Sequence, residues 1–321
     1  MPTPPYILIL GHGRSGTNWL LSLLDHSPRT HCRNEPNELG GEPWQRLPSP
    51  WVCQPLDHDA VAPHWDAAVA WSAARVGQRD HRLPDTKAHV HQWARPLGLD
   101  RMMKGPKLRR AVSVAQPTLA EPEWQPPRWW ARPDALTAAV PVLKLNQVPA
   151  WACWSLAHRP DAMHVHIVRH PGGFLNSYRN RWLAHHDRDT VTRLNRDRLH
   201  QIAAVDDTWA TRFDDIHTLT AEAAELWFWR YAAEMIHRLG ESRPNYHLLI
   251  YEHLAADPVT QTRRLYDACR LDFTPAIERA VQPTASPAIA RAWRNKLTAE
   301  DQHLIDTILT DSPLNTFWPP Q

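Results

Sequence analysis

The sequence predicts a three-layer α/β fold, a mostly parallel central sheet with helices on both faces, on three observations. Short apolar runs alternate with helical patterns along the chain. Those runs show little apolar–polar alternation, as strands buried on both faces must. The first of them passes through a glycine-rich turn directly into a helix, the order that opens many nucleotide-binding α/β proteins. A sheet of this kind holds its ligand at the carboxyl ends of its strands.

The elements follow in order. Tyr6–Leu10 is the first strand, Gly11-His12-Gly13-Arg14-Ser15-Gly16 the turn, and residues 17–24 the first helix, stopped by Asp25-His26-Ser27-Pro28. Residues 44–135 are rich in Trp and Pro: eight of the chain's 17 Trp lie between Trp44 and Trp130. Each Pro removes a backbone donor, so this stretch predicts irregular loops around one or two helices, with His64–Val76 the best helical pattern. Strands are expected at Val140–Leu145, Met163–Val168 and His247–Tyr251. Helices are expected at Val148–His158, Gly172–Trp182, Ala221–Leu239 and Val259–Cys269, and a turn at Glu252–Asp257. Residues 185–215 are polar with few apolar anchors and read as a solvated helix or mobile segment.

Bulk composition narrows the function. Lys and Arg total 36 against 34 Asp and Glu, a net charge of +2, so no global field draws nucleic acid or anionic lipid. An anionic ligand must be held by a local site. Cys32, Cys53, Cys153 and Cys269 are far apart in sequence, have no zinc spacing, and read as reduced thiols. No run is long enough to span a membrane and none has the flanks of a signal peptide, so the expected location is cytoplasmic.

The turn Gly11–Gly16 has the shape of a phosphate loop, whose backbone N–H groups and following helix N-terminus cradle an anion. Nucleoside triphosphatases place Lys after the second glycine, where it reaches the β- and γ-phosphates. Thr17 stands there, which argues against ATP or GTP hydrolysis. Gly13-Arg14-Ser15-Gly16-Thr17-Asn18-Trp19-Leu20 resembles the 5′-phosphosulfate loop of sulfotransferases that use 3′-phosphoadenosine-5′-phosphosulfate. Asn18 departs from the usual Thr or Ser but still offers a hydrogen bond. The resemblance implies a phosphate-loop, nucleoside-triphosphate-hydrolase-like architecture and a donor site at Arg14, Ser15, Gly16, Thr17, Asn18 and Trp19.

A second motif resembles the same family. The strand ending His166-Ile167-Val168-Arg169-His170-Pro171 is followed by Ser177, the pair that in the family holds the 3′-phosphate. The planar donor fork of an arginine with a nearby hydroxyl suits a phosphate. Weaker likenesses add Tyr251, in Tyr251-Glu252-His253-Leu254, against the nucleotide, and Arg294, in Trp293-Arg294-Asn295-Lys296-Leu297-Thr298, as a further 3′-phosphate contact. For Trp19, packing beneath the loop is the competing reading, and for Tyr251 a place in the core.

Sulfuryl transfer to a hydroxyl needs a base for the acceptor proton, donors around the transferring group and a cation at the leaving oxygen. The leaving group is a phosphate, so no metal is required. Strand residues Val142–Asn146 resemble the place where family members carry a leaving-group Lys and a His base. Lys144 matches the Lys, but Asn146 stands for the His and cannot act as a base. The Glu-Pro segment after the first helix resembles that of bacterial and carbohydrate sulfotransferases, which makes Glu35 the expected base, Glu38 the second choice, and His12 or His31 further alternatives. A partly desolvated carboxyl holds its proton more tightly, which suits that role. Catalysis is thus expected from Glu35, Lys144 and Arg14, with no metal.

Residues 1–321 read as a single domain in which the Trp/Pro-rich stretch at about 44–135 forms the acceptor pocket or lid. The expected partner is a small-molecule or glycan acceptor, with carbohydrate, lipid and small natural product left open. Two other readings stand beside this one: a non-catalytic nucleotide-binding sensor or scaffold, and another phosphate-loop phosphotransferase.

Overall fold

The computed structural model describes residues 3–74, Lys87, His89, 132–213 and 215–318. Within them five strands form one parallel sheet: β1 (Ile7–Gly11), β2 (Thr30–Asn34), β3 (Val140–Asn146), β4 (Met163–Val168) and β5 (Tyr246–Ile250). The spatial order is β2-β3-β1-β4-β5. β1 therefore lies between β3 and β4, with Leu10 level with Leu145 and His166. The chain turns to opposite sides of β1 there, and this topological switch opens a crevice above the carboxyl ends of the strands.

Helix α1 (Thr17–Asp25) returns the chain from β1 to β2, and α2 (Glu42–Gln45) and α3 (His58–Ala73) follow β2. Short α4 (Pro133–Thr137) precedes β3 and α5 (Pro149–His158) follows it. After β4 come α6 (Pro171–Arg181), α7 (Arg188–Ala203), α8 (Asp207–Arg212) and the long α9 (Ala221–Gly240). Beyond β5 lie α10 (Tyr251–Ala256), α11 (Pro258–Cys269), α12 (Pro275–Val281), α13 (Pro287–Arg291) and α14 (Ala299–Leu309).

The strand period of two divides the core. Ile7 and Ile9 join Val142, Val165 and Ile167 beneath α1 and α11. Leu8 and Leu10 join Leu143 and Leu145 on the other face, against Trp65 of α3 and Trp151 and Trp154 of α5. All four β1 residues from Ile7 to Leu10 are fully buried, which is why the run reads as continuously apolar. A third cluster packs α6, α7, α8 and α9 around Phe174, Phe228, Trp229 and Tyr231.

Four expectations needed adjustment. Thr30–Asn34 is a strand, although its residues Thr-His-Cys-Arg-Asn carry no apolar signal, because it is held by β3 along its length. Residues 188–203 form a packed helix: Val191, Asn195, Leu199 and Ile202 are buried at helical spacing while the remaining faces stay polar. Tyr251–Ala256 is helical rather than a turn, and the helix expected from His64 begins at His58. Most of the Trp/Pro-rich stretch lies outside the described residues. No helix among the described residues is long and apolar enough to cross a membrane.

Arg179 fixes α14 to α6 by donating to both oxygens of Asp301, at 2.7 and 3.1 Å. Asp301 also accepts from the Thr298 backbone N–H in a reciprocal helix cap. The Arg179 hydrogen bonds hold the Asp301 carboxyl down at about 2, below its ordinary 3.8. A depressed carboxyl stabilises the fold above its unfolded value, and the contribution fades as pH falls through the folded one. Asp301→Asn is expected to destabilise the protein by about 1–3 kcal/mol at pH 7, by the worth of a charged hydrogen bond and a cap. In urea melts the gap between variant and wild type should narrow as pH is lowered from about 4 towards 2; a gap independent of pH would contradict the assignment.

Candidate active site

The turn after β1 is shaped by two residues in the left-handed region, Arg14 at φ 73° and Gly16 at φ 96°. Gly16 is required twice over. Its φ is unfavourable for side chains, and a Cβ there would sit 2.5 Å from the Tyr251 ring. The Ser15 N–H donates back to the His12 carbonyl at 3.1 Å, closing the turn, and α1 starts at Thr17. The helix N-terminus therefore points its amide groups out of the sheet edge, the arrangement that favours an anion.

The two sequence motifs meet at Arg14. Its Nε donates to Ser177 Oγ on α6 at 3.2 Å, and its backbone carbonyl accepts from Arg169 Nη1 at 3.0 Å. Arg169, at the end of β4, lies over the Tyr251 ring at 4.4 Å, and Trp19 meets the same ring edge-on at 5.8 Å. Burial, then Arg181 and Arg169 nearby, lower the Arg14 guanidinium below its ordinary value. Burial likewise lowers Arg169. Each guanidinium is thus held at a disadvantage that a bound anion would relieve.

A cleft of about 980 Å³ opens over these residues. Arg14, Arg169, Arg179, Arg181 and Lys296 line it, and among the described residues no carboxylate does. Gly16, Thr17, Asn18, Trp19, Ser177 and Tyr251 also line it, so most residues expected at a donor site share one cavity. Ser15 is buried in the loop beneath. Arg294 is not part of the cleft. It lines a neighbouring cavity of about 630 Å³ with His170, Glu252 and Trp318.

Arg179, Arg181, Asn176, Asn180 and Lys296 were not anticipated. Asn180 and Arg181 follow Ser177 by three and four positions, so the helical period alone puts them on its face. Lys296 lies in the Trp293–Thr298 segment, two residues after the arginine chosen from it.

Beside the cleft, Lys144 is 1% exposed. Its Nζ donates to Asn18 Oδ1 at 2.6 Å and pairs with Glu35 Oε1 at 3.2 Å. Asn146 Nδ2 donates to the same Glu35 oxygen. Glu35 is placed by backbone: it follows β2 at φ 51°, and its N–H donates to the Lys144 carbonyl at 2.9 Å. Asn18, Lys144, Glu35 and Asn146 thus form one polar chain from the glycine turn to the exit of β3. Glu38 is exposed on the following 3-10 turn, Pro36–Leu39.

His12 is buried and both ring nitrogens are engaged. Nδ1 lies 3.1 Å from the Gly13 carbonyl; Nε2 lies 3.1 Å from Glu225 Oε1 and 3.0 Å from Gln147 Nε2. Burial works to raise the Glu225 carboxyl, but Arg198 and hydrogen bonds from His12 and Gln147 outweigh it and hold it below the usual range. This cluster braces the exits of β1 and β3 from behind, and it leaves His12 no nitrogen for an acceptor. A Glu in the otherwise apolar Ala223–Trp229 stretch was the available signal for it. Among the described residues no cluster of three or more His, Cys, Asp or Glu is arranged to hold a metal ion.

A model of the sulfotransferase family matches residues 5–275. Among solved structures, the sulfotransferase domain from the Synechococcus PCC 7002 olefin synthase is 17% identical, covers 100% of this chain and 97% of its own, and has a TM-score of 0.47. The sulfotransferase domain from the curacin biosynthetic pathway is 12% identical, with coverage of 97% and 98% and a TM-score of 0.48. A sulfotransferase from Mycobacterium avium is 13% identical, with coverage of 100% and 78% and a TM-score of 0.39. No curated protein matches the sequence.

Gly16→Ala forces a left-handed alanine against the Tyr251 ring. It should destabilise the protein by about 1–3 kcal/mol, the range for overpacking combined with an unfavourable φ. Denaturant midpoints would report this, and a neutral result would show that the turn can relax away from Tyr251.

Proposed function

The chain belongs to the sulfotransferase family, and we propose that it moves a sulfuryl group from 3′-phosphoadenosine-5′-phosphosulfate to a hydroxyl by in-line displacement. The acceptor hydroxyl belongs to a carbohydrate, a lipid or a small natural product. One observation carries the reading: Arg14 of the first motif is hydrogen-bonded to both Ser177 and Arg169 of the second, inside a cleft lined by five cationic side chains.

The residues fit this donor. Ser15 Oγ and Arg169 Nε are buried with no hydrogen-bond partner in the protein, an arrangement that is costly unless a ligand satisfies it. Ser15, Gly16, Thr17 and Asn18 offer the turn and the start of α1 to the 5′-phosphosulfate. Arg169 and Ser177 hold the 3′-phosphate, with Arg181 and Lys296 adding positive charge at the cleft wall. Trp19 and Tyr251 form the aromatic side of the nucleotide site. When bound, the donor supplies a sulfuryl group already activated by its phosphate leaving group.

The chain's own residues then divide the work. Glu35 takes the acceptor proton, and Asn146 and Lys144 hold its carboxylate in place. Lys144, beside Asn18, places positive charge at the leaving oxygen, and Arg14 offers its two Nη groups to developing charge on the sulfuryl oxygens. His12, with both nitrogens engaged within the protein, supports the turn. The whole chain acts as one domain, and residues 44–135 supply the acceptor pocket.

The donor site is tested by thermal unfolding with 3′-phosphoadenosine-5′-phosphate, AMP and Mg-ATP. The bisphosphate should raise the midpoint by mass action, in EDTA as well, and AMP should do little. Arg169→Gln should lose most of that shift. Stabilisation by Mg-ATP alone would point instead to a phosphotransferase.

The base is tested by Glu35→Gln, which should lower kcat about 100- to 10,000-fold, the usual worth of a general base. The bisphosphate shift should survive, which separates loss of chemistry from loss of the donor site. Full turnover against an acceptor panel would remove Glu35 from the mechanism.

A further inference from the structure

We propose that Cys53 and Cys153 form a redox-sensitive pair, a disulfide site that closes the chain around its Trp/Pro-rich stretch. Their Sγ atoms lie 3.6 Å apart, in van der Waals contact, although 100 residues separate them in sequence. Both are partly buried, whereas Cys32 and Cys269 are fully buried. The backbone around the pair is already fixed. The Cys53 N–H donates to Tyr231 Oη at 2.7 Å, the Ala150 N–H to the Pro50 carbonyl at 2.9 Å, and Trp151 Nε1 to the Pro48 carbonyl at 2.8 Å. Residues 48–53 therefore lie as a strap across the first turn of α5, which carries Cys153. Bond formation needs the two Sγ atoms to approach from 3.6 Å to about 2.05 Å.

The position gives the bond a purpose. A bridge between Cys53 and Cys153 encloses residues 54–152, which contain nearly all of the stretch assigned above to the acceptor pocket, and β3 with Lys144 and Asn146. That stretch is rich in Pro, and cross-linking its two ends removes conformations from the unfolded chain. The reaction is thiol–disulfide exchange with a low-molecular-weight disulfide such as oxidised glutathione. The Cys53 thiolate attacks one sulfur of the small disulfide and one reduced thiol leaves. Cys153, after losing its proton to solvent, attacks Sγ of Cys53 and the second reduced thiol leaves. Two protein thiols are oxidised and one small disulfide is reduced to two thiols. Contact with Cys53 and burial hold the Cys153 thiol well above its usual range.

The full-length native protein, incubated with excess oxidised glutathione at pH 8, tests this. Titration should find two of the four thiols lost, intact mass should fall by two hydrogens with no adduct, and non-reducing peptide maps should join the Cys53 and Cys153 peptides. The oxidised form should unfold at a higher temperature and resist proteolysis within residues 54–152, and dithiothreitol should reverse both effects. In Cys153→Ser the same treatment should leave a stable glutathione adduct on Cys53 and no rise in midpoint. Four thiols remaining after prolonged oxidation, or a persistent glutathione adduct on the wild type, would overturn the proposal. These readouts need neither donor nor acceptor, so they stand or fall separately from the sulfuryl-transfer assignment.

Discussion

Lys144 is 1% exposed, and a polar head so deeply placed must be surrounded by partners. Its partners are Asn18 Oδ1, at the start of α1, and Glu35, just past β2. Since Lys144 itself lies on β3, one buried ammonium joins the glycine turn, the second strand and the third. The two departures from family pattern fall on this chain. Asn18 supplies an oxygen to Lys144, and Asn146 supplies an N–H to Glu35. Each asparagine serves the ion pair between them. Asn146 has no titratable group, so toward Glu35 it acts only as a hydrogen-bond donor.

The sheet supplies the frame for that chain. β1 is central, so its exit, the exit of β3 and the exit of β4 come together at one edge. The turn after β1 then receives Asn146 and Lys144 from one side and Arg169 from the other. Behind it, Glu225 of α9 binds His12 and Gln147, the residues that follow β1 and β3, and Arg198 of α7 balances its charge at 3.5 Å. Burial alone would favour a neutral carboxyl here, and three donors reverse that. The polar front of the site is thus held by a polar back built on its own hydrogen bonds.

The frame was legible wherever burial on both faces wrote a continuous apolar run, as at Ile7–Leu10 and Met163–Val168. It was illegible at Thr30–Asn34, where side chains such as Arg33 are buried by tertiary contact and not by their own hydropathy. The Arg169–Ser177 pair could be read because each residue sits at a fixed offset from a strand end. Arg179, Arg181 and Lys296 could not, because a surface cation looks the same whether it faces a cleft or open solvent. Asn146 was read as a loss, the missing base, and the structure shows what it contacts instead. Arg294 was chosen by likeness of a short segment, but a 3-10 turn at Ala292–Asn295 points it into the neighbouring cavity and leaves Lys296 at the cleft.

A net charge of +2 conceals how unevenly the charges are distributed. Five cations line the cleft, and the carboxylates that pair with one of them, Arg179, stand outside its lining. Asp301 and Glu222 engage Arg179 from α14 and α9, and Glu225 engages Arg198 behind the turn. Glu35 is the exception, a carboxylate brought to the site's edge, and it comes already paired with Lys144. An unpaired carboxylate there would repel an anion; the ion pair with Lys144 screens it. The same ion pair therefore keeps a carboxylate at the edge of the cleft without turning the local field against an anion.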